Sequence, residues 1–132
     1  MLVVDDQELN HRVMRILLRE FGCCGTFAAS GDEAVELAYG TRFDLILMDL
    51  NMPGMDGDEA ARRIRAAGAS RRQYVVRWTT EAALWLDPGL YDGQASKPIS
   101  VPALAQVVAE AIRRRANMPE SPRFALRNIS PN

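Results

Sequence analysis

Residues 44–57 read Asp44-Leu-Ile-Leu-Met-Asp49-Leu-Asn-Met-Pro53-Gly-Met-Asp-Gly57. An unbroken apolar run this short, ended by a carboxylate and then a Pro/Gly turn, reads as a strand covered on both faces that delivers Asp49 to a loop. The same grammar recurs outward from it. Leu2-Val-Val4 ends in the paired acids Asp5 and Asp6, Tyr74 to Trp78 ends at Thr79, and a short strand from Gln94 to Ser96 ends at Lys97-Pro98. Thr26 to Ala29 is a weaker strand.

Between these runs the period changes to that of a helix. Leu9, Val13, Ile16 and Leu17 recur at helical spacing up to Gly22. Ser30 caps a segment whose Ala34, Val35, Leu37 and Ala38 face inward, and Gly57 opens one with Ala60, Ala61, Ile64 and Ala67 on one face. Val101 to Ala116 is amphipathic, with Leu104, Val107, Val108, Ala111 and Ile112 inside. From Glu81 to Leu86 there is room for one or two turns before Asp87-Pro-Gly89 stops them, so the fourth helix of the series is expected to be short or irregular. Alternating β/α units with short connections imply an α/β, doubly wound parallel sheet of five strands with helices on both faces. Such sheets bind ligands at the carboxyl ends of their strands, the edge that gathers Asp5, Asp6, Asp49, Thr79 and Lys97.

With 132 residues, 48% of them hydrophobic, the chain suffices for one domain, read here as residues 1–116, followed by a polar, Pro-containing tail or linker over 117–132. The chain starts one residue before its first strand, which fits a domain excised from a longer protein or one without the usual leading residues. No run approaches the ~20 apolar residues that span a bilayer, and no signal peptide is evident, so a soluble, cytoplasmic protein is expected. Cys23 and Cys24 are adjacent and lack companions for a metal site, which reads as core-facing or partly buried thiols in a reducing compartment. His11 is the only histidine, and its place at a helix start reads as a solvated side chain. Arg113-Arg-Arg115 reads as a solvated helix end matched to the helix dipole, not as a nucleic-acid site.

A single strand-end Asp is commonly a cap or a turn former. Three of them on one edge repel one another, and a cation answers that repulsion. Mg2+ suits hard oxygen ligands and bridges carboxylates to phosphate. Asp49 would then be a nucleophile for a phosphoryl group, with Lys97, the only lysine of the chain, and the Thr79 hydroxyl neutralising or bonding the incoming oxygens.

These residues carry a resemblance. Val3-Val-Asp-Asp6, the Asp44 to Gly57 segment, Thr79 and Lys97-Pro98 resemble the receiver domain of two-component response regulators, most closely the receivers of hybrid sensor histidine kinases. The resemblance implies a flavodoxin-like (βα)5 fold and phosphorylation of Asp49 from a phosphohistidine. Asp6, Asp49 and the Asn51 backbone carbonyl would hold Mg2+, Asp5 would help through water, and Thr79 and Lys97 would contact the phosphoryl group. A cis bond would precede Pro98. The partners implied are a sensor histidine kinase or histidine phosphotransfer protein and a downstream protein, with a homodimer as an option and neither DNA nor membrane as a target. Beyond self-catalysed phosphotransfer and autodephosphorylation, no enzyme activity is expected of this domain.

Asn51 and Glu81 match the pair that influences acyl-phosphate lifetime in chemotaxis-type receivers, and Thr80, bulkier than the usual small residue, is expected to slow access of water and small phosphodonors. Two departures stand out. The span from Thr79 to Lys97 is a few residues short, and Gln94 occupies the position of the aromatic switch residue, which points to an altered output surface or a phosphoryl relay. The alternatives are a pseudo-receiver that regulates by binding alone and a haloacid-dehalogenase-like phosphatase. The latter calls for an acid where Asn51 stands.

Overall fold

The run Leu45–Asp49 forms β3, buried at every residue and central in its sheet. This computed structural model describes residues 1–80 and 85–117. In chain order the elements are β1 (Leu2–Val4), α1 (Glu8–Glu20), β2 (Thr26–Ala28), α2 (Gly31–Gly40), β3, α3 (Gly57–Ala66), β4 (Tyr74–Thr79), β5 (Gly93–Ser96) and α4 (Val101–Asn117). All strand pairs are parallel, in the order β2-β1-β3-β4-β5. In that order the chain reverses direction across the sheet between β1 and β3, so their carboxyl ends flank the crevice where such folds take ligands.

The pleat divides the core into two layers. Leu2, Val4, Ile46, Met48 and Val75 pack with Ala34 and Ala38 of α2 and Ala60, Ala61 and Ile64 of α3. On the other face Val3, Leu45, Leu47, Val76 and Trp78 pack with Met14 and Leu18 of α1 and Leu104, Val108 and Ala111 of α4. The helix starts follow the local chemistry. Ser30 Oγ accepts from the Glu33 N–H while the Glu33 carboxylate accepts from the Ala29 N–H, and Asp56 Oδ1 accepts from the Glu59 N–H.

The phase of α1 differs from expectation. Its buried residues are His11, Met14 and Leu18, whereas Leu9, Val13 and Ile16 are 67%, 47% and 62% exposed. The loop after β1 sets this phase. Asp5 accepts from the Gln7 N–H and from Asn10 Nδ2, and its carbonyl accepts from His11 Nε2 at 2.6 Å, which turns Asn10, His11 and Met14 toward the sheet. His11 is therefore not solvated: it is buried, polar nitrogen satisfied, with its ring 5.3 Å from that of Phe27. Ile112 of α4 is exposed, not inside, and Cys24 is exposed beside a half-buried Cys23.

Between β4 and β5, the described residues 85–92 form no helix. They make a turn in which the Leu90 and Tyr91 N–H groups both reach the Asp87 carbonyl. Leu90 and Tyr91 are buried and fill the α3-side core. Arg65 of α3 stitches this turn down, donating to the carbonyls of Leu90 and Gln73 and to the Asp92 carboxylate. The described part of the connection, residues 85–92, is thus a pinned turn, and most of the expected fourth helix lies outside the described residues. Glu81 and the expected tail beyond Asn117 lie outside the described residues. No described helix is long and apolar enough to cross a membrane.

Candidate functional site

Strand register builds the site. Val4 pairs with Met48 and Asp49 with Trp78, so the chain leaves β1, β3 and β4 at one level and presents Asp5, Asp49 and Thr79 side by side. Lys97 follows β5 directly, after a Thr79–Ser96 pair, and its bond to Pro98 is cis. Lys97 Nζ lies 2.5 Å from Asp5 Oδ2 and 2.9 Å from Asp49 Oδ1. One carboxylate oxygen from each of Asp5, Asp6 and Asp49 falls within 4.8 Å of the others.

The three acids are not equivalent. Asp5 is fully buried and accepts three hydrogen bonds, from the Gln7 N–H, Asn10 Nδ2 and Lys97. Asp6 is exposed. Asp49 is buried, and burial raises its pKa above the usual carboxylate range; the Lys97 hydrogen bond and charge oppose that rise, while the charges of Asp5 and Asp6 add to it. An acid held this way gains from a cation beside it. Closely spaced hard oxygen donors, partly open to solvent, fit a Mg2+ ion.

Asp6, Asp49, Asn51, Thr79, Thr80 and Lys97 line a cleft of about 500 Å3. Thr79 is buried, while Asn51 and Thr80 stand exposed on it. The loop that carries Asp49 is closed by the Gly57 N–H bonding the Leu50 carbonyl at 2.8 Å. The structure therefore brings together every candidate named from the sequence except Glu81, which is outside the described residues.

Three contacts of this region escaped the sequence reading. Asn10 holds Asp5. Trp78 lies under Lys97, whose Nζ is 4.6 Å from the ring centroid. Arg77, a cation inside an apolar strand, is buried and bonded to Gln94. The signals were legible in part: strand alternation puts Trp78 on the layer opposite Arg77, and a lone arginine within Tyr74–Thr79 calls for a buried acceptor.

The family model for the response regulator receiver domain matches residues 1–109. Among curated proteins, the chain is 39% identical to sensor protein GacS of Pseudomonas syringae pv. syringae over 81% of its own length and 13% of that protein's. It is 37% identical to virulence sensor protein BvgS of Bordetella bronchiseptica over 94% of its length and 11% of that protein's. The chain thus spans a small fraction of the length of these relatives. The receiver domain of sensor histidine kinase PA1611 from Pseudomonas aeruginosa PAO1, solved with a magnesium ion coordinated in its active site cleft, superposes with a TM-score of 0.75 at 33% identity, over 84% of this chain and 94% of that one.

Proposed function

Because the chain belongs to the response regulator receiver domain family and is a receiver of a two-component phosphorelay, we propose that Asp49 is its phosphoacceptor, loaded from a phosphohistidine in a Mg2+-dependent reaction. The observation that carries this is the shared lysine: Lys97 bridges Asp5 and Asp49 inside a cluster of three acids at the strand ends. Neither the pseudo-receiver nor the phosphatase alternative gains support.

In the transfer, an Asp49 carboxylate oxygen bonds to phosphorus as the N–P bond of the donor breaks. The imidazole leaves with that electron pair and is protonated from solvent. Lys97 swings from the Asp49 carboxylate to a phosphoryl oxygen, and the Thr79 hydroxyl donates to another. Asp6, Asp49 and the Asn51 carbonyl would hold Mg2+, with Asp5 acting through water; the ion supplies charge neutralisation for the anions that meet in the cleft. Attack of water on phosphorus breaks the acyl O–P bond, releases inorganic phosphate and returns the Asp49 carboxylate, with Thr80 at the cleft wall restricting entry. This is one self-limited cycle per donor, not turnover of a substrate pool.

The donor would be a sensor histidine kinase or a histidine phosphotransfer protein. Leu9 and Val13 of α1 line the cleft and Ile16 extends their exposed stripe, an apolar face directly beside Asp49. That face suits a helical donor bringing a histidine to the acid. The reader of the signal would be a protein that senses the pinned turn and the β4–β5 edge, in the cytoplasm.

The test is Mg2+-dependent labelling by a phosphorylated kinase or a small phosphodonor, followed by intact mass, with Asp49→Asn beside wild type. A phosphoryl adduct in wild type that the variant lacks is expected. Equal labelling of both would reassign the acceptor.

A further inference from the structure

Trp78 is buried at 3% exposure on the α1/α4 side of the sheet, and Lys97 stands over it. The register explains the meeting. Trp78 pairs with Ala95 in the parallel ladder, and Lys97, two residues after Ala95, returns to the same face just past the strand end. A packing role would be met by an aliphatic side chain among Val76, Met14, Leu104 and Ile99. An indole carries a cost that an aliphatic chain does not, because Trp78 Nε1 is buried without a hydrogen-bond partner among the described residues. What the indole offers in return is the strongest aromatic face for a cation. The ammonium lies 4.6 Å from the ring centroid, inside the ~6 Å range of such contacts. Both side chains are largely withdrawn from water, Lys97 at 14% exposure, where the attraction is strongest.

We propose that Trp78 is a positioning residue for Lys97: its ring is the uncharged partner that holds the ammonium in the cleft while the carboxylates change charge. The inference rests on the reading of Asp49 as the acceptor. Among the described residues the other two partners of Lys97 are Asp5 and Asp49, and both are altered when a cation and a phosphoryl group arrive. A lysine on a flexible four-carbon stem would then be free to leave. The ring face does not titrate and does not take part in the transfer, so it keeps the ammonium within reach of the phosphoryl oxygens throughout.

Two measurements test this. Lys97 is the only lysine, so lysine-selective 13C labelling gives a single ε-methylene signal. Its protons should lie upfield of the ordinary lysine position, shifted by the ring, both without and with Mg2+, and return to the ordinary position in Trp78→Met. An ordinary position in the wild type overturns the proposal whatever the variants do.

The second measurement compares Trp78→Phe with Trp78→Met, of similar volume but with and without a ring face. At saturating small phosphodonor and Mg2+, the phosphorylation rate should fall about tenfold in Trp78→Met and stay within about threefold in Trp78→Phe, the donor concentration at half-saturation being unchanged in both. Equal loss in the two, with both folded, would make Trp78 a filler and overturn the proposal. If wild type takes no phosphoryl group, the acceptor reading falls, while an upfield Lys97 signal still upholds the contact with Trp78.

Discussion

Arg77 and Gln94 face each other on β4 and β5, with Arg77 Nη2 2.5 Å and Nε 2.9 Å from the Gln94 Oε1. The position where an aromatic switch residue was expected thus carries the acceptor for a buried guanidinium. The same Nη2 also donates to the Trp85 carbonyl at 3.0 Å, and Tyr91, under the guanidinium, donates its O–H to Asp58. Tyr91 is buried, and burial with the Asp58 carboxylate beside it raises its pKa far above the usual phenol range. Replacing Gln94 by Leu deprives the cation of an acceptor, and hydrogen bonds to charged groups contribute about 1.5–3 kcal/mol. Gln94→Leu should therefore lower stability by about 2 kcal/mol in urea unfolding. A loss under ~0.5 kcal/mol, the range of an ordinary surface change, would show that the pair is incidental.

The raised pKa of Asp49 has a sign that can be worked through. A carboxyl whose folded pKa lies above its unfolded value favours the folded state at low pH, and that contribution is lost as pH rises through the folded pKa. Above that pKa and without Mg2+, the ionised, buried Asp49 therefore costs stability, chiefly through burial. Asp49→Asn removes the charge and should raise the stability of the metal-free chain by about 1 kcal/mol, a few degrees in Tm. The gain should shrink as pH falls through the Asp49 pKa, and added Mg2+ should stabilise wild type more than the variant. Thermal melts over pH 4 to 8 read both effects, and a variant less stable than wild type at pH 7 would reverse the account.

The sheet was legible because a fully covered parallel strand leaves an uninterrupted apolar run, as in Leu45–Met48, and because the strand ends carry the acids. The face of α1 was not. Helical spacing alone gives Leu9, Val13 and Ile16 as one stripe, but whether that stripe points in or out is fixed by Asp5, Asn10 and His11, a tertiary arrangement around the loop. The buried His11 was missed for the same reason. The absence of an aromatic at position 94 was visible, yet its counterpart Arg77 was passed over inside a strand pattern. The short connection after Thr79 was read from spacing, but spacing could not tell that Arg65 would pin it.

Gly57 abuts the backbone of the residue it serves. A Cβ at this position would overlap the Asp49 carbonyl oxygen and crowd the Leu50 Cα, both main-chain atoms that cannot rotate away. The close approach lets the Gly57 N–H close the loop on the Leu50 carbonyl and start α3 there. Gly57→Ala should cost about 1–3 kcal/mol, as overpacking does, and displace the Asp49 loop. A Mg2+ titration followed by backbone amide shifts should show weakened binding. Unchanged stability and unchanged Mg2+ affinity together would mean that the loop has slack the structure does not display.

If α1 receives the donor as proposed, its exposed stripe separates two kinds of phosphoryl donor. A small phosphodonor needs only the cleft, whereas a protein carrying a phosphohistidine must also cover the surface around it. Ile16 is 62% exposed, belongs to the stripe and does not line the cleft. Ile16→Glu should therefore leave stability within about 0.5 kcal/mol of wild type and leave labelling by a small phosphodonor within about twofold. With the loss of an apolar anchor and the burial of a carboxylate at the interface together costing about 1.4 kcal/mol, transfer from a phosphohistidine protein should need roughly tenfold more donor for half its maximal rate. The two assays run on the same preparation, so a folding defect would depress both. If the protein donor reacts equally well with Ile16→Glu and wild type, α1 is not the face that receives it, and the donor must approach Asp49 across the loop after β5.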